Sequence, residues 1–308
     1  MSAVGRVRRR MFGIPSAKAV FSRPGFAPAA WDRFAPVAIN LMEGYHATLE
    51  DPRLSSLERR LEAVEPEFRG FAYEGAGMGL AALDAVAPWK NRLNEFVEGP
   101  GAAHIYPVYV GVGLAYARLR RTPEAKLAGL DPLLGWVTAD GYGFHEAFFR
   151  RSKYVDQHAV PTRLSHYGRR FFDQGVGRAL WFSSGASVDR VVQQIAGFQV
   201  ARHADLWSGV GLASAYGGGA EPDELRSLLD RMRLFQPQLA RGAATAAWGR
   251  EHAGNQAAHT DLACQIYCGR DGREAAVALE EAAHDLPVIS VEPVYEIWRR
   301  RTECKLAA

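Results

Sequence analysis

Acidic and amide side chains recur close to a repeated glycine in this 308-residue sequence. They are Glu43, Glu74, Asp140, Asp173, Gln174 and Asp205. Burial in an apolar chamber disfavours the ionised form of a carboxyl group and raises its pKa, which makes the group a usable general acid. The alternative is that these groups complement helix dipoles and form hydrogen bonds between helices, as acids near helix starts commonly do. Catalysis therefore requires that they meet in one enclosed site.

The segment 141–146 carries the most polar version of the glycine phrase, because His145 and Glu146 replace small residues. An imidazole titrates near neutral pH, so His145 is a candidate proton shuttle. Aromatic rings nearby would shape the chamber and stabilise positive charge through their faces. The predicted catalytic residues are Glu74, Asp140, His145, Glu146, Asp173 and Asp205. The predicted substrate-binding residues are Tyr73, Tyr142, Phe144, Trp181, Trp207 and Tyr216.

The elements that would position these residues repeat along the chain. The repeat glycines, each in an Ala-rich phrase and 30 to 36 residues from the next, are Gly44, Gly75, Gly111, Gly141, Gly175, Gly209 and Gly242. This period is typical of two-helix repeats. Glycine inside a helix costs about 0.5–1 kcal/mol relative to alanine, so its regular placement indicates close helix packing. We predict an all-α protein of repeated two-helix units that form an α-solenoid or a closed α/α toroid.

Composition and charge indicate a folded protein with a basic start. Hydrophobic residues make up 48% and charged residues 23% of the chain, which excludes a disordered or collagen-like protein. The formal net charge is +3, but six basic residues precede the first acid, Asp32. The remainder is slightly acidic, so we expect no nucleic-acid binding. We predict a basic arm over residues 1–30, anchored by Phe12, Ile14, Val20 and Phe21, and a single helical-repeat domain over 31–308.

Cysteine usage and hydropathy favour a cytoplasmic protein without a transmembrane segment. The three cysteines, Cys264, Cys268 and Cys304, form an odd set that suits a reducing compartment. No apolar run approaches the roughly 20 residues that a spanning helix needs. His259, Cys264 and Cys268 lack the further ligand of a zinc site, so we expect no bound metal.

The sequence also lacks the common signatures of cofactor binding, so we expect no cofactor. Walker loops, nucleophile elbows and Cys-x-x-Cys pairs are absent. The Gly-x-Gly at 111–113 resembles a dinucleotide loop, but Pro107 interrupts the strand that would precede it, and a matching acid about 20 residues later is missing. The absence of Asp-Asp-x-x-Asp argues against a typical diphosphate-ionising terpene synthase.

Nine phrases carry a resemblance to a known family. They lie at 8–15, 69–75, 104–106, 130–134, 140–146, 172–175, 204–213, 259–260 and 295–298, and include Arg69-Gly-Phe-Ala-Tyr-Glu-Gly75 and Asp140-Gly-Tyr-Gly-Phe-His-Glu146. Together they resemble the domain of unknown function 1702 family nearly end to end. The resemblance implies a role in bacterial secondary metabolism, beside the iterative polyketide synthases that build enediyne antitumour compounds. It implies no catalytic residue, and Pro107-Val-Tyr109 departs from the histidine-bearing stretch expected there, which weakens a catalytic role for that segment.

Two hypotheses of different class follow. The first is an isomerase or cyclase of the lyase type, which acts on an apolar polyene or isoprenoid by acid–base chemistry. The second is a non-catalytic helical-repeat scaffold that binds a polyketide synthase or another pathway enzyme. Acids buried in an enclosed apolar pocket favour the enzyme, whereas acids exposed on an open groove favour the scaffold.

Overall fold

The structure, a computed structural model, describes residues 2–15, 21 and 23–307. Throughout these residues the regular secondary structure is helical and no strand occurs. The prediction of an all-α protein is therefore confirmed. None of the helices in the described ranges combines the length and the apolar character needed to cross a membrane.

The α-helices are numbered in chain order. They are α1 (Ala3–Phe12), α2 (Ala30–Glu50), α3 (Leu54–Glu62), α4 (Pro66–Val86), α5 (Arg92–Val97), α6 (Ile105–Arg118), α7 (Val137–Phe149), α8 (His166–Ser183), α9 (Val188–Ala196), α10 (Val200–Gly217), α11 (Pro222–Arg231), α12 (Gln236–His252), α13 (Ala258–Cys268), α14 (Gly272–Ala283) and α15 (Val294–Ala307). Short 3-10 turns occur at Pro88–Lys90, Ala102–His104, Pro123–Gly129, Leu134–Trp136 and Arg233–Phe235, and a π turn at Ser152–Asp156.

All the repeat glycines lie inside helices, which we call the glycine helices: α2, α4, α6, α7, α8, α10 and α12. Each glycine helix packs against the next one along the chain. An ideal Cβ built on Gly175 would lie 2.0 Å from the carbonyl oxygen of Asp140, and one on Gly209 would lie 1.9 Å from that of Gln174. Glycine is required at these positions because the backbones of neighbouring helices touch.

The glycine contacts keep one register from α6 to α12. The repeat glycine of each of these helices contacts a backbone carbonyl of the glycine helix before it. That carbonyl belongs to the residue directly before the previous repeat glycine, as Gly175 contacts Asp140. In α6, α7, α8 and α10 a further glycine stands two residues after the repeat glycine and contacts the following glycine helix. The ideal Cβ of Gly177, for example, lies 2.0 Å from the carbonyl oxygen of Leu206. Residues that directly precede the repeat glycines are consequently brought side by side through the interior.

The elements between the glycine helices are less regular than predicted. Between α6 and α7 the chain forms only 3-10 turns, and between α7 and α8 a π turn, so the prediction of a second α-helix in every unit is wrong for these two. Pro123 and Pro132 fall in the first connection and Pro161 in the second. Proline lacks the N–H that a helix interior needs, which explains why no second helix extends there.

The basic segment at the start packs on the body through polar and apolar contacts. The hydroxyl of Tyr45 donates to the carbonyl of Phe12 at 2.8 Å, and the N–H of Ile14 donates to Nε2 of His46 at 3.2 Å. Phe21 is buried with its ring centroid 4.8 Å from that of Phe148. Val20, also predicted as an anchor, lies outside the described residues.

Candidate functional site

A row of hydrogen-bonded polar side chains crosses the interior from α7 to α12. Nε2 of Gln174 donates to Oδ2 of Asp140 at 2.7 Å, and Oγ of Ser208 donates to Oε1 of Gln174 at 3.2 Å. Nε of Arg241 donates to Oγ of Ser208, also at 3.2 Å. All four side chains are buried, and each directly precedes a repeat glycine. This polar row is thus a product of the glycine register.

Glu74 occupies the equivalent position in α4, but its surroundings differ. Its side chain is only 3% exposed. Oε2 lies 4.0 Å from Nη2 of Arg178, whereas Nη1 of Arg178 lies 2.5 Å from Oδ1 of Asp140. Burial raises the pKa of Glu74 to about 7, the charge of Asp140 adds to the rise, and Arg178 offsets only part of it. Glu74 can therefore hold or release a proton near neutral pH.

The carboxyl group of Glu74 lines a small cavity that we call the central pocket. Its volume is about 20 Å³, room for about one water molecule. Besides Glu74 and Arg178 its walls include Phe71, Tyr106, Val110, Phe182, Leu212 and Tyr216. Burial holds the pKa of Tyr106 well above its ordinary value, so its hydroxyl stays protonated beside Nε2 of Gln174 at 3.4 Å.

A second, apolar cavity of about 90 Å³ lies where α2, α4, α6, α7 and α8 meet. We call it the phenylalanine pocket, since its walls include Phe21, Phe144, Phe148, Phe149 and Phe182, together with aliphatic side chains and His145. The rings of Phe144 and Phe148 stack with centroids 5.4 Å apart. The guanidinium carbon of Arg178 lies 5.3 Å from the centroid of Phe144, and Phe182 borders both pockets. The two cavities are therefore neighbours.

The predicted catalytic residues fall into separate groups. Glu74 and Asp140 meet at Arg178. Asp173 lies elsewhere, in a bidentate ion pair with Arg202 at 2.9 and 2.5 Å. Burial raises the pKa of Asp173 to about 6, and Arg202 counteracts that rise. The rotation of about 100° between successive helix positions turns Asp173 away from the row that its neighbour Gln174 joins.

Asp205 belongs to a buried ion-pair cluster at the C-terminal helix. Arg170 and Arg299 both donate to its carboxylate, and each also pairs with Glu296 of α15. Burial works to raise the pKa of Asp205, but Arg299, Arg170 and Arg241 together outweigh it and lower the pKa. The cluster joins α15 to α8 and α10. Its geometry is that of ion pairs inside the core, in which the carboxylates are paired while Nε of Arg299 has no hydrogen-bond partner.

His145 and Glu146 form a third group on another face of α7. Oε2 of Glu146 lies 3.1 Å from Nη1 of Arg150, and Oε1 lies 3.4 Å from Nδ1 of His145. Burial works to raise the pKa of Glu146, but its contacts with His145 and Arg150 outweigh burial and lower the pKa. His145 itself lines the phenylalanine pocket. Of the predicted catalytic set, Glu74 lines the central pocket and His145 lines the phenylalanine pocket, whereas Asp140 is connected to the central pocket through Arg178.

Two of the predicted substrate-binding residues, Phe144 and Tyr216, line the pockets. The others make contacts within the packed interior. Nε1 of Trp181 donates to the carbonyl of Gly218 at 2.9 Å, and the hydroxyl of Tyr73 donates to Glu62 at 2.7 Å. The centroid of Trp207 lies 6.4 Å from that of Phe235, and that of Tyr142 lies 6.2 Å from that of Phe172.

The sequence prediction missed Arg178, together with Phe71, Tyr106 and Phe182 of the central pocket. Arg178 follows Gln174 by four positions on α8, so both project from the same face of one helix. Arg170 stands four positions before Gln174, so this spacing from the polar row does not by itself distinguish Arg178. Tyr106 and Val110 on α6 share the same spacing and both line the central pocket.

The cysteines and His259 make backbone contacts. Sγ of Cys264 donates to the carbonyl of Ala243 at 3.6 Å, and Sγ of Cys268 donates to that of Ala240 at 3.4 Å. Nε2 of His259 lies 3.1 Å from the carbonyl oxygen of Tyr216. Across the described part of the chain, no group of three or more His, Cys, Asp or Glu residues could hold a metal ion.

These features define an all-helical protein whose glycine helices enclose a buried carboxyl group beside an apolar cavity. The chain matches the family described as protein of unknown function (DUF1702) over residues 3–306, and it belongs to that family. No curated protein and no solved structure gave a significant match to the chain.

Proposed function

We propose that this protein is an acid–base catalyst, an isomerase or cyclase, which acts on an apolar polyene or isoprenoid with Glu74 as its proton donor and acceptor. The observation that carries the proposal is the position of Glu74, a buried acid that lines a cavity between aromatic side chains. This cavity of about 20 Å³ must widen to admit a hydrocarbon. Asp140, Asp173 and Asp205 each accept a hydrogen bond from an arginine. Glu74 is paired less closely, because Nη2 of Arg178 lies 4.0 Å from its Oε2.

The reaction needs no external reagent. The Glu74 carboxyl transfers its proton to an alkene carbon, which leaves a carbocation on the substrate and a carboxylate on the protein. Loss of a proton from another carbon regenerates the double bond and returns the proton to the carboxylate. The rings of Phe71, Tyr216 and Phe182 border the cavity and can stabilise the cation through their faces. Arg178 stabilises the carboxylate while it exists.

Burial of the acids also supports the enzyme over the scaffold. A scaffold that recognises a partner through the acids beside the repeat glycines needs those acids on an open surface. Glu74, Asp140, Asp173 and Asp205 are all buried, whereas Glu43 is exposed. A role in bacterial secondary metabolism, beside an enediyne polyketide synthase, rests on the family resemblance and belongs to the same proposal.

We infer further that the glycine helices form a tightly curled solenoid or a closed toroid, which encloses the pocket. The support is contact between helices distant in the chain. Nδ2 of Asn255, after α12, donates to the carbonyl of Pro66 at the start of α4 at 3.1 Å. The hydroxyl of Tyr216 on α10 fills the space where Gly70 lacks a side chain.

The test is hydrogen exchange into substrate. Acyclic conjugated hexaenes and acyclic isoprenoid hydrocarbons are incubated with the protein in D₂O, and deuterium incorporation and isomer composition are measured by chromatography with mass spectrometry. We expect Glu74→Gln to lower the rate by about 10²–10⁴, the usual contribution of a general acid. Glu67→Gln, at a half-exposed carboxyl on the same helix, is the matched control.

The outcome that contradicts the proposal is equally specific. Exchange by Glu74→Gln at the wild-type rate excludes Glu74 as the acid. Wild-type protein that incorporates no deuterium into any hydrocarbon of the panel contradicts the acid–base reaction itself.

A further inference from the structure

We propose that the phenylalanine pocket is a distinct subsite that receives the end of an elongated hydrocarbon chain, while the following part of the chain lies beside Glu74. The inference deepens the proposed function and rests on it for the chemistry at Glu74. Binding of the chain end rests on the phenylalanine pocket alone, so the two claims can be tested separately.

The walls of the phenylalanine pocket select an apolar occupant. Five phenylalanine rings line it, and the aliphatic wall includes Met78 and Leu114. The imidazole of His145 is the titratable group in this wall, and it also lies beside Glu146. A polar or charged ligand group would lose its hydration here without comparable hydrogen bonds in exchange, which is costly. A hydrocarbon end loses no such bonds and gains contact with the rings.

The size of the pocket indicates part of a ligand. Its volume is about 90 Å³, well below the roughly 300–1,000 Å³ of complete small-molecule sites. A terminal segment of a chain fits this description, and the remainder of the chain must extend elsewhere.

The helices themselves indicate the direction in which the chain extends. Three of them contribute one residue to the central pocket and, four positions later, one residue to the phenylalanine pocket. The pairs are Glu74 with Met78, Val110 with Leu114, and Arg178 with Phe182. Four residues advance about 6 Å along a helix axis, so the two cavities are stacked along α4, α6 and α8, about one helical turn apart.

Phe182 is the side chain between the two cavities. Its ring borders both of them, and its centroid lies 5.9 Å from that of Phe144 and 4.7 Å from that of Phe34. Phe182 thus separates the phenylalanine pocket from Glu74. Because the central pocket has room for only about one water molecule, Phe182 must move for a chain to reach the carboxyl of Glu74.

The experiment measures binding of diphenylhexatriene, a neutral, rod-shaped polyene that fluoresces in apolar surroundings. Ala38 lines the phenylalanine pocket from α2, so Ala38→Leu should fill it and weaken binding at least tenfold. Leu114→Ala enlarges the same pocket and should bind within threefold of wild type or more tightly. Ala29→Leu makes the filling substitution at an exposed position and should leave binding unchanged. The opposite responses of the filling and enlarging variants separate subsite binding from a general loss of structure.

The results also separate this inference from the proposed function. Glu74→Gln should bind the probe normally while losing deuterium exchange. If wild-type protein exchanges no deuterium but Ala38→Leu still weakens probe binding, the subsite stands and the proposed reaction falls. Wild-type affinity in Ala38→Leu, or parallel losses in Ala38→Leu and Leu114→Ala, overturns the subsite.

Discussion

Replacing a repeat glycine by alanine tests whether backbone contact between helices holds the fold together. An ideal Cβ on Gly175 lies 2.0 Å from the carbonyl oxygen of Asp140, whereas ordinary contacts begin at 3.4 Å. Helices α7 and α8 must therefore separate by more than an ångström to admit one methyl group. That movement also stretches the 2.7 Å hydrogen bond between Gln174 and Asp140.

The expected magnitude follows from two opposing effects. Overpacking of a filled interior typically costs about 1–3 kcal/mol. The better helix propensity of alanine returns up to about 1 kcal/mol. We expect Gly175→Ala to lower the free energy of unfolding by about 1–2 kcal/mol. Gly175→Val and Gly209→Val, with branched side chains, should unfold the protein.

Chain unfolding in urea, followed by circular dichroism, measures the effect. The matched control is Gly249→Ala, because Gly249 lies in α12 and its ideal Cβ has no neighbour within 4 Å. That substitution should stabilise the protein by up to about 1 kcal/mol, since alanine restricts the unfolded chain. A Gly175→Ala variant as stable as the Gly249→Ala variant would show that the repeat glycines are not packing residues.

Two further predictions concern the charges at Glu74. The pKa of Glu74 is about 7 in the folded protein, against an ordinary value of 4.5. Between these two pH values the folded state binds more protons than the unfolded state, so the free energy of unfolding falls as the pH rises through this range. The Glu74→Gln variant does not titrate at this position, so its stability relative to wild type should increase from pH 5 to pH 8, by up to about 3 kcal/mol. Urea titrations measure this difference, and a difference that does not change with pH would contradict the raised pKa of Glu74. Asp140→Asn should free Arg178 to pair with Glu74 and so lower the pKa of Glu74. Carbon NMR of labelled glutamate carboxyl groups measures this pKa. An unchanged or raised value would show that Asp140 does not keep Arg178 from pairing with Glu74.

The helical class and the packing role of the glycines were predictable from local sequence. Glycine costs helix stability wherever it occurs, so a glycine that recurs every 30 to 36 residues inside Ala-rich phrases indicates a backbone contact. The positions next to those glycines could be predicted to meet for the same reason. Asp140 and Gln174 do meet, through one hydrogen bond. The second helix of each unit was less predictable, because prolines in the connections override the period.

The sequence by itself determined which residues precede the repeat glycines, but not which of them are buried: Glu74 lies in the interior, whereas Glu43 is exposed. Only the tertiary structure decided which buried carboxyl groups are neutralised. Asp205 takes its partners Arg170 and Arg299 from α8 and α15, and Arg178 reaches α4 and α7 from α8. An ion pair forms wherever two distant helices happen to bring opposite charges together. The guanidinium of Arg178 lies 4.0 Å from the carboxyl group of Glu74 but 2.5 Å from that of Asp140. A local sequence pattern contains no information about these distances.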